Sequence, residues 1–268
     1  MIHHYSLESL ISALIDIGIK KGDIIFSHSN IGYLGIPEGE CTVENACSTI
    51  LKAFLEVIGN EGTLCVPTFT YSFSQNKIFD PDITNSDCGI FTEYIRKHPN
   101  SYRSEDPCVS VSAIGKDAKR LTENIPVNAY GDNCFFNRFH RLNGKICNMN
   151  FDAGSTFIHY FERKLKVPYR FDKTFSGTMI KCNKSYKRNS TIWVRYLTDG
   201  TSPKFEPFDL LAKKKHYYKT AKIGRGMIGS ITVEDTYHLI KETISKRPWF
   251  LTEAEELGII PDFKNAKK

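Results

Sequence analysis

Thr156, His159 and Glu162 are spaced three apart in Thr156-Phe157-Ile158-His159-Tyr160-Phe161-Glu162. On a helix that spacing stacks a hydroxyl, an imidazole and a carboxylate along one stripe. Such a set can take up, hold and return a proton near neutral pH. The same spacing also describes a half-buried histidine held by a local hydrogen bond, because T-x-x-H-x-x-E is short. The stripe follows a strand-like run, Lys145-Ile146-Cys147-Asn148-Met149-Asn150, and the small residues Ala153-Gly154-Ser155 turn the chain between them. In α/β proteins the carboxyl end of a strand, where the chain bends into a helix, is where ligands bind.

The elements that must position this stripe alternate in the first half of the chain. Leu7 to Ile19 is apolar at helical spacing, with Ser6 placed to cap it. Asp23 to His28 reads as a strand, Thr42 opens a helix whose stripe runs from Val43 to Leu55, and Gly59 suits its end. Gly62 to Val66 reads as a buried strand ending at Pro67. Strand–helix–strand in that order predicts a parallel pair. The loop from Phe69 to Cys88 is long enough to be functional. Helices are expected at Ile90 to Lys97, Asp117 to Thr122 and Asn133 to Leu142, with a strand from Cys108 to Ile114. Beyond about Pro168 the pattern turns to strands at Thr174 to Ile180, Thr191 to Leu197 and Lys219 to Val233, with Asp199-Gly200 as a turn signal. Glu234 to Ser245 closes as a helix. We expect one domain over 1–268: a core to about 167, an antiparallel lobe over about 168–230, and a helical segment over 231–268.

Composition narrows the classes. The chain has 268 residues, 41% hydrophobic and 25% charged, as a soluble globular protein would. No apolar run approaches a membrane span, and the N-terminal residues do not read as a signal peptide. Eight cysteines without a C-x-x-C pair fit a reducing cytoplasm and no structural zinc site, so no metal is expected. The net charge of +6 either solubilises the surface or attracts anionic partners such as coenzymes. No nucleic-acid-binding motif appears. Gly224-Arg225-Gly226-Met227-Ile228-Gly229 matches G-x-G-x-x-G only superficially, since no helix follows it, and reads as turn or bulge glycines.

Several separated pieces resemble the aminoglycoside 3-N-acetyltransferase family. His28-Ser29-Asn30-Ile31-Gly32-Tyr33-Leu34-Gly35 is similar to its H-S-S-L-x-x-L-G segment, and Gly59 to Thr68 to its G-x-x-G-T-L-x-M-P-T strand. Phe79-Asp80-Pro81 matches F-D-P, and Gly89 to Glu93 with Arg96 resembles G-x-x-x-E-x-x-R. Arg103 to Pro107 with Ser110 resembles R-S-x-H-P-x-x-S, except that Asp106 replaces the family's histidine. Gly144-Lys145 and the Thr156/His159/Glu162 stripe complete the series in the right order.

The resemblance implies an α/β/α sandwich on a mixed, partly parallel sheet. It also implies transfer of an acyl group from acyl-CoA to an amine, with the coenzyme A thioester and an amino sugar as partners. His159 is then the general base, with Glu162 or Glu93 orienting it; Glu93 reads equally well as a helix salt bridge with Arg96. Coenzyme contacts are expected from His28, Ser29, Asn30, Ile31, Gly32 and Thr68, with backbone amides around Ser29 to Ile31 or the Ser29 hydroxyl as oxyanion donors. Substrate contacts are expected from Thr70, Tyr71, Asp106, Thr156 and Arg170. The basic, aromatic late lobe suggests a nucleotide-linked amino sugar as acceptor, with an aminoglycoside as the alternative. A non-catalytic binding protein on the same scaffold is the reading from another class. The aromatic lobe also offers a surface on which copies of the chain could pair.

Overall fold

The computed structural model describes residues 2–264 and 266. Met1, Asn265, Lys267 and Lys268, and with them part of the basic run 264–268, lie outside the described residues. In chain order the elements are α1 (Leu7–Asp16), β1 (Ile24–Ser29), α2 (Val43–Ile58), β2 (Thr63–Pro67), α3 (Ile90–Lys97), β3 (Tyr102–Arg103) and β4 (Val111–Gly115). Then come α4 (Ala118–Thr122), α5 (Phe135–Arg141), β5 (Lys145–Met149), α6 (Ile158–Lys164), β6 (Arg170–Lys181) and β7 (Lys184–Arg195). The chain closes with α7 (Glu206–Lys214), β8 (Lys219–Ile223), β9 (Gly226–Thr232), α8 (Val233–Ile244) and α9 (Glu253–Leu257).

A seven-stranded sheet carries the order β3-β4-β2-β1-β5-β9-β8. β1 lies at its centre, parallel to β2 on one side and to β5 on the other. The outer strands β4, β3, β9 and β8 pair antiparallel. The sheet is therefore mixed, with a parallel centre, as the family resemblance implied.

Alternation along the central strands feeds two cores, because successive side chains in a strand point to opposite faces. Phe26, Cys65 and Ile146 join one cluster with Phe135, Phe136, Phe139, Phe157 and Phe161 of α5, α6 and the turn before α6. Ile25, Leu64 and Cys147 join the other with the buried faces of α1, α2 and α3. Helices thus cover both faces. The Ser6 capping box starts α1, and Thr42 accepts from the Asn45 N–H to start α2.

One expectation shifts in the late region. β6 and β7 form a long two-stranded hairpin of their own, whereas β8 and β9 join the main sheet, β9 pairing with β5 over Lys145↔Thr232 to Met149↔Ile228. The hairpin turns at Cys182-Asn183, and Asp199-Gly200 forms a separate turn after β7, as its residues signalled. Both hairpin-turn residues take positive φ, 49° and 60°, the geometry that matches the twist of paired strands. Cysteine is not a residue that signals such a turn, so the position was invisible to composition. Among the described residues no helix is long and apolar enough to cross a membrane, and no cluster of His, Cys, Asp and Glu could hold a metal.

Candidate active site

β5 ends at Met149, and the loop that follows is pinned at once. The Asn148 side-chain amide donates to the Asp152 and Gly154 carbonyls at 2.6 and 3.0 Å. Ala153 N–H donates to Asp209 of α7 at 2.9 Å. This fixed loop sets the start of α6. Thr156 lies in the turn just before the helix, and His159 and Glu162 follow within it.

The imidazole of His159 bonds through Nδ1 to Glu162 Oε2 at 2.6 Å. Glu162 is a hub: the same oxygen meets Arg170 Nε at 2.8 Å, and Oε1 accepts from the Tyr169 hydroxyl at 3.0 Å. Its side chain is 1% exposed and that of Arg170 6%, while His159 keeps 17%. The ring therefore reaches solvent and its partners do not. His159 Nε2 has no hydrogen-bond partner among the described residues, which leaves it open to a substrate. Tyr130 meets the imidazole edge-on at 6.3 Å between centroids, and Phe205 packs on it at 5.9 Å.

The electrostatics suit a base. Burial, and then the Arg170 charge, push the His159 pKa below its ordinary 6.5, against an opposite pull from Glu162. The imidazole is thus neutral at neutral pH. Burial would raise the Glu162 pKa, but Arg170, His159 and Tyr169 outweigh it and keep the carboxylate ionised. A carboxylate on Nδ1 keeps that nitrogen protonated, so the lone pair sits on Nε2, the nitrogen facing out.

Glu93 is not brought to His159. Arg96 grips its carboxylate at 2.7 and 2.8 Å, Lys97 adds a contact at 3.1 Å, and Ser86 N–H donates at 2.9 Å. Burial acts to raise its pKa, but these donors prevail and lower it to about 2. The salt bridge that α3 spacing allowed is the role the structure gives it.

The other expected residues divide. His28 Nε2 lies 3.0 Å from the Thr156 hydroxyl, tying β1 to the turn before α6. Burial lowers the His28 pKa to about 4, with a smaller opposing pull from Asn148, its register partner on β5. Ser29 bonds the Ser27 hydroxyl at 2.9 Å; alternation puts both on the sheet face opposite His28. Asn30 donates its N–H to the Met149 carbonyl at 3.0 Å, so that amide is not free for an oxyanion. Ile31 is buried and opens a single 3-10 turn, Ile31–Leu34, that includes Gly32. Thr68 is buried among Ser110 and Ser112, and Thr70 donates to the Pro107 carbonyl, so neither hydroxyl faces a cleft.

Asp106, where the family pattern has histidine, is buried too. It accepts from the Cys108 and Val109 N–H groups at 2.8 and 3.0 Å, an aspartate shaping its own loop. Tyr71 takes a strained φ of 48° and stays 37% exposed, and burial pushes its phenol up to about 12, so it is neutral. Arg170 itself is committed: beyond Glu162, its Nη1 donates to the Trp193 carbonyl at 3.3 Å. Tyr169, Tyr130 and Phe205 were missed by the sequence reading. Nothing in their spacing links them to position 159, because tertiary packing alone brings them there.

A broad cleft of about 810 Å³ opens beside the same loop. It is lined by Asn30, Tyr33, Asn150, Phe151, Asp152, Lys213, Lys222 and the 224–227 turn. Of the residues expected to contact the coenzyme, Asn30 alone lines it.

The family model described as aminoglycoside 3-N-acetyltransferase matches residues 28–245. Aminoglycoside N(3)-acetyltransferase IX of Micromonospora chalcea is 29% identical over 132 residues, covering 42% of this chain and 45% of that one. Aminoglycoside N(3)-acetyltransferase III of a Salmonella species is 24% identical over 199 residues, 67% and 68% of the two chains. The matched region thus spans less than half of the first relative and about two thirds of the second. Among solved structures, AAC-IIIb in a binary complex with CoASH superposes with a TM-score of 0.77 at 18% identity, covering 90% of this chain and 97% of that one. AAC-VIa bound to sisomicin gives 0.76 at 21% identity, covering 91% and 98%. These likenesses establish a shared fold.

Proposed function

The chain belongs to the aminoglycoside 3-N-acetyltransferase family, enzymes that use acetyl-CoA, and from that premise we propose that it acetylates an amine of an aminoglycoside-type amino sugar with His159 as general base. The observation that carries this reading is the His159–Glu162 pair, with Nδ1 held at 2.6 Å and Nε2 open.

The chemistry follows from that geometry. A sugar ammonium must lose a proton before its nitrogen can attack. That proton goes to solvent, and Nε2 of a neutral His159 takes a second one from the now neutral amine as its nitrogen bonds to the thioester carbonyl carbon. The carbonyl oxygen gains the displaced electron pair and returns it as the carbon–sulfur bond breaks. The thiolate leaves and is protonated, with the imidazolium as the nearest acid. Glu162 stabilises the imidazolium while it exists, and Arg170 and Tyr169 hold Glu162 in place. No cysteine acts as a nucleophile in this scheme: burial raises the thiols of Cys65, Cys108, Cys134 and Cys147, which keeps them protonated.

The relatives' names favour the aminoglycoside acceptor over the nucleotide-linked amino sugar suggested by the basic late lobe. Arg170, one reason for that suggestion, is spent on Glu162 rather than offered to a diphosphate. We read residues 1–268 as one acyltransferase domain, because β9 of the late region completes the sheet beside β5. The test is thiol release from acetyl-CoA with kanamycin-type acceptors and with UDP- and dTDP-linked amino sugars, the acylated nitrogen located by NMR. Acylation of the antibiotic at N3 supports the reading. Turnover confined to nucleotide-linked sugars overturns it.

A further inference from the structure

Acyl transfer puts negative charge on the thioester carbonyl oxygen, and a hydrogen-bond donor fixed in advance on that oxygen speeds the step. Two donors expected from the sequence are committed elsewhere. The Ser29 hydroxyl bonds Ser27 on the far face of the sheet, and the Asn30 N–H bonds the Met149 carbonyl.

The segment before α5 places a phenol beside the imidazole. Tyr130 meets His159 edge-on, with 6.3 Å between centroids and 86° between planes. Three elements hold it there. Its ring stacks on Phe136 of α5 at 5.0 Å and 20°. Arg163 of α6 reaches its carbonyl at 3.5 Å. The preceding residue, Ala129, donates its N–H to the Thr191 carbonyl of β7 at 2.9 Å, and Tyr130 N–H donates to Asn128 Oδ1 at 3.0 Å. A ring braced on this many sides presents its hydroxyl in one place, the requirement for a preorganised donor.

That hydroxyl is unused within the protein. Tyr130 is 4% exposed, yet its phenol oxygen has no hydrogen-bond partner among the described residues. Nor is the oxygen sealed away, as the equally unpartnered Trp193 Nε1 and His28 Nδ1 are. The little surface that Tyr130 keeps therefore includes its hydroxyl. A buried donor left unmade is costly to folding, so its place points to a ligand. Tyr71, 37% exposed, stands near enough that its charge would oppose a phenolate at position 130. Burial pushes the Tyr130 phenol well above its ordinary 10, with Arg170 acting the other way, so the proton stays on oxygen.

The chemistry selects the atom that this donor serves. The attacking nitrogen offers N–H groups and a lone pair spent on carbon, whereas the carbonyl oxygen gains accepting power as the bond forms. A phenol this weakly acidic does not protonate a thiolate, whose ordinary pKa is about 8.5, so that role stays with the imidazolium. We propose that Tyr130 is a further catalytic residue, its hydroxyl donating to the thioester carbonyl oxygen as that oxygen gains charge. The proposal rests on the acyl-transfer reading above. No bond to Tyr130 forms or breaks, and its proton remains on the phenol throughout.

Tyr130→Phe removes the donor and keeps the ring. Its kcat for thiol release from acetyl-CoA should fall about a hundredfold, while acceptor KM and calorimetric acetyl-CoA affinity stay within about threefold. Its Tm should not fall, because the hydroxyl bonds nothing in the folded chain. Infrared spectra of bound acetyl-CoA, isotope-labelled at the carbonyl carbon, read the contact itself. The unaltered protein should lower the carbonyl stretch below that of the free thioester, and Tyr130→Phe should return it towards the free value. Tyr130→meta-fluorotyrosine, a stronger donor that keeps the ring and hydroxyl, should lower the stretch further and sustain turnover. Unchanged kcat in Tyr130→Phe overturns the proposal. So does a raised acceptor KM with kcat intact, which would make the hydroxyl a sugar contact. A lost kcat with the carbonyl band unmoved also overturns it, since the role would then be structural. If the unaltered protein releases no thiol with any acceptor, the acyl-transfer reading fails, while the band of bound acetyl-CoA still decides whether Tyr130 bonds the thioester. Failure to bind acetyl-CoA overturns both.

Discussion

Glu162→Gln tests the centre of the proposed mechanism, because one carboxylate serves three partners there. Its oxygens accept from His159 Nδ1 and the Tyr169 hydroxyl at 2.6 and 3.0 Å and form an ion pair with Arg170 at 2.8 Å. Glutamine has the same shape but only one accepting oxygen, and its NH₂ group must face a donor. Two consequences follow. The Arg170 charge, 6% exposed, loses its counter-ion, and removing one partner of a buried pair costs about 3–5 kcal/mol. For a chain of this size that lowers Tm by roughly 6–15 °C. In addition, an amide NH₂ aimed at His159 makes Nδ1 the acceptor and moves the proton to Nε2, where the base needs its lone pair. The comparable loss of the correct tautomer in a Ser-His-Asp triad costs about 10⁴ in turnover, so a fall of about 10²–10⁴ in kcat is expected here. The two effects separate in Glu162→Gln/Arg170→Met, which removes the stranded charge. Calorimetry should show much of the Tm recovered, while thiol-release assays with acetyl-CoA should show turnover still lost. Wild-type kcat in the single variant would refute the base assignment. Failure of the double variant to regain stability would refute the claim that the stranded arginine is what destabilises the single one.

Three further outcomes follow from the same geometry. His159→Ala should reduce turnover at least a hundredfold while acetyl-CoA affinity, measured by calorimetry, changes less than threefold, since the imidazole's proposed part is to move a proton and not to hold the coenzyme. The pH profile of kcat/KM should rise with an acid limb below pH 6.5, because burial and Arg170 depress the His159 pKa and the neutral form is the active one; a limb above 6.5 contradicts this. Folded His28 titrates near 4 against an ordinary 6.5, so the unfolded chain binds the extra proton between those values, and stability should fall by up to about 3 kcal/mol as pH drops from 6.5 to 4, as read by denaturant melts.

The parts of this molecule that were legible in the sequence are those whose signals are local. α2 showed itself by its stripe and by Thr42 and Gly59 at its ends, and β1 and β2 by short apolar runs bounded by glycine. The pairing of His159 with Glu162 was legible because three residues make one helical turn. What the sequence concealed depends on contacts between distant segments. Arg170 read as a substrate ligand because a lone arginine carries no mark of the buried carboxylate it serves. Asp106 looked available because residue type alone does not show that the Cys108 and Val109 amides occupy it, whereas the i,i+3 spacing of Glu93 and Arg96 already offered the salt bridge that forms. The β6–β7 turn was hidden because Cys182 and Asn183 adopt a conformation that glycine would have advertised.

The strand order bears on how such a molecule comes into being. β1 lies in register with β5, Phe26 against Ile146, so two neighbours in space are separated by about 120 positions of chain. β5 in turn borders β9, which is encoded nearer the end still. Pairings this remote carry a large loop-closure cost and form late, after locally joined helices and hairpins. A nascent polypeptide leaving the ribosome therefore has a half-built sheet until the residues of β5 and β9 have both emerged. Chains cut short before position 226 should be inert and liable to aggregate through the bare edge of β5.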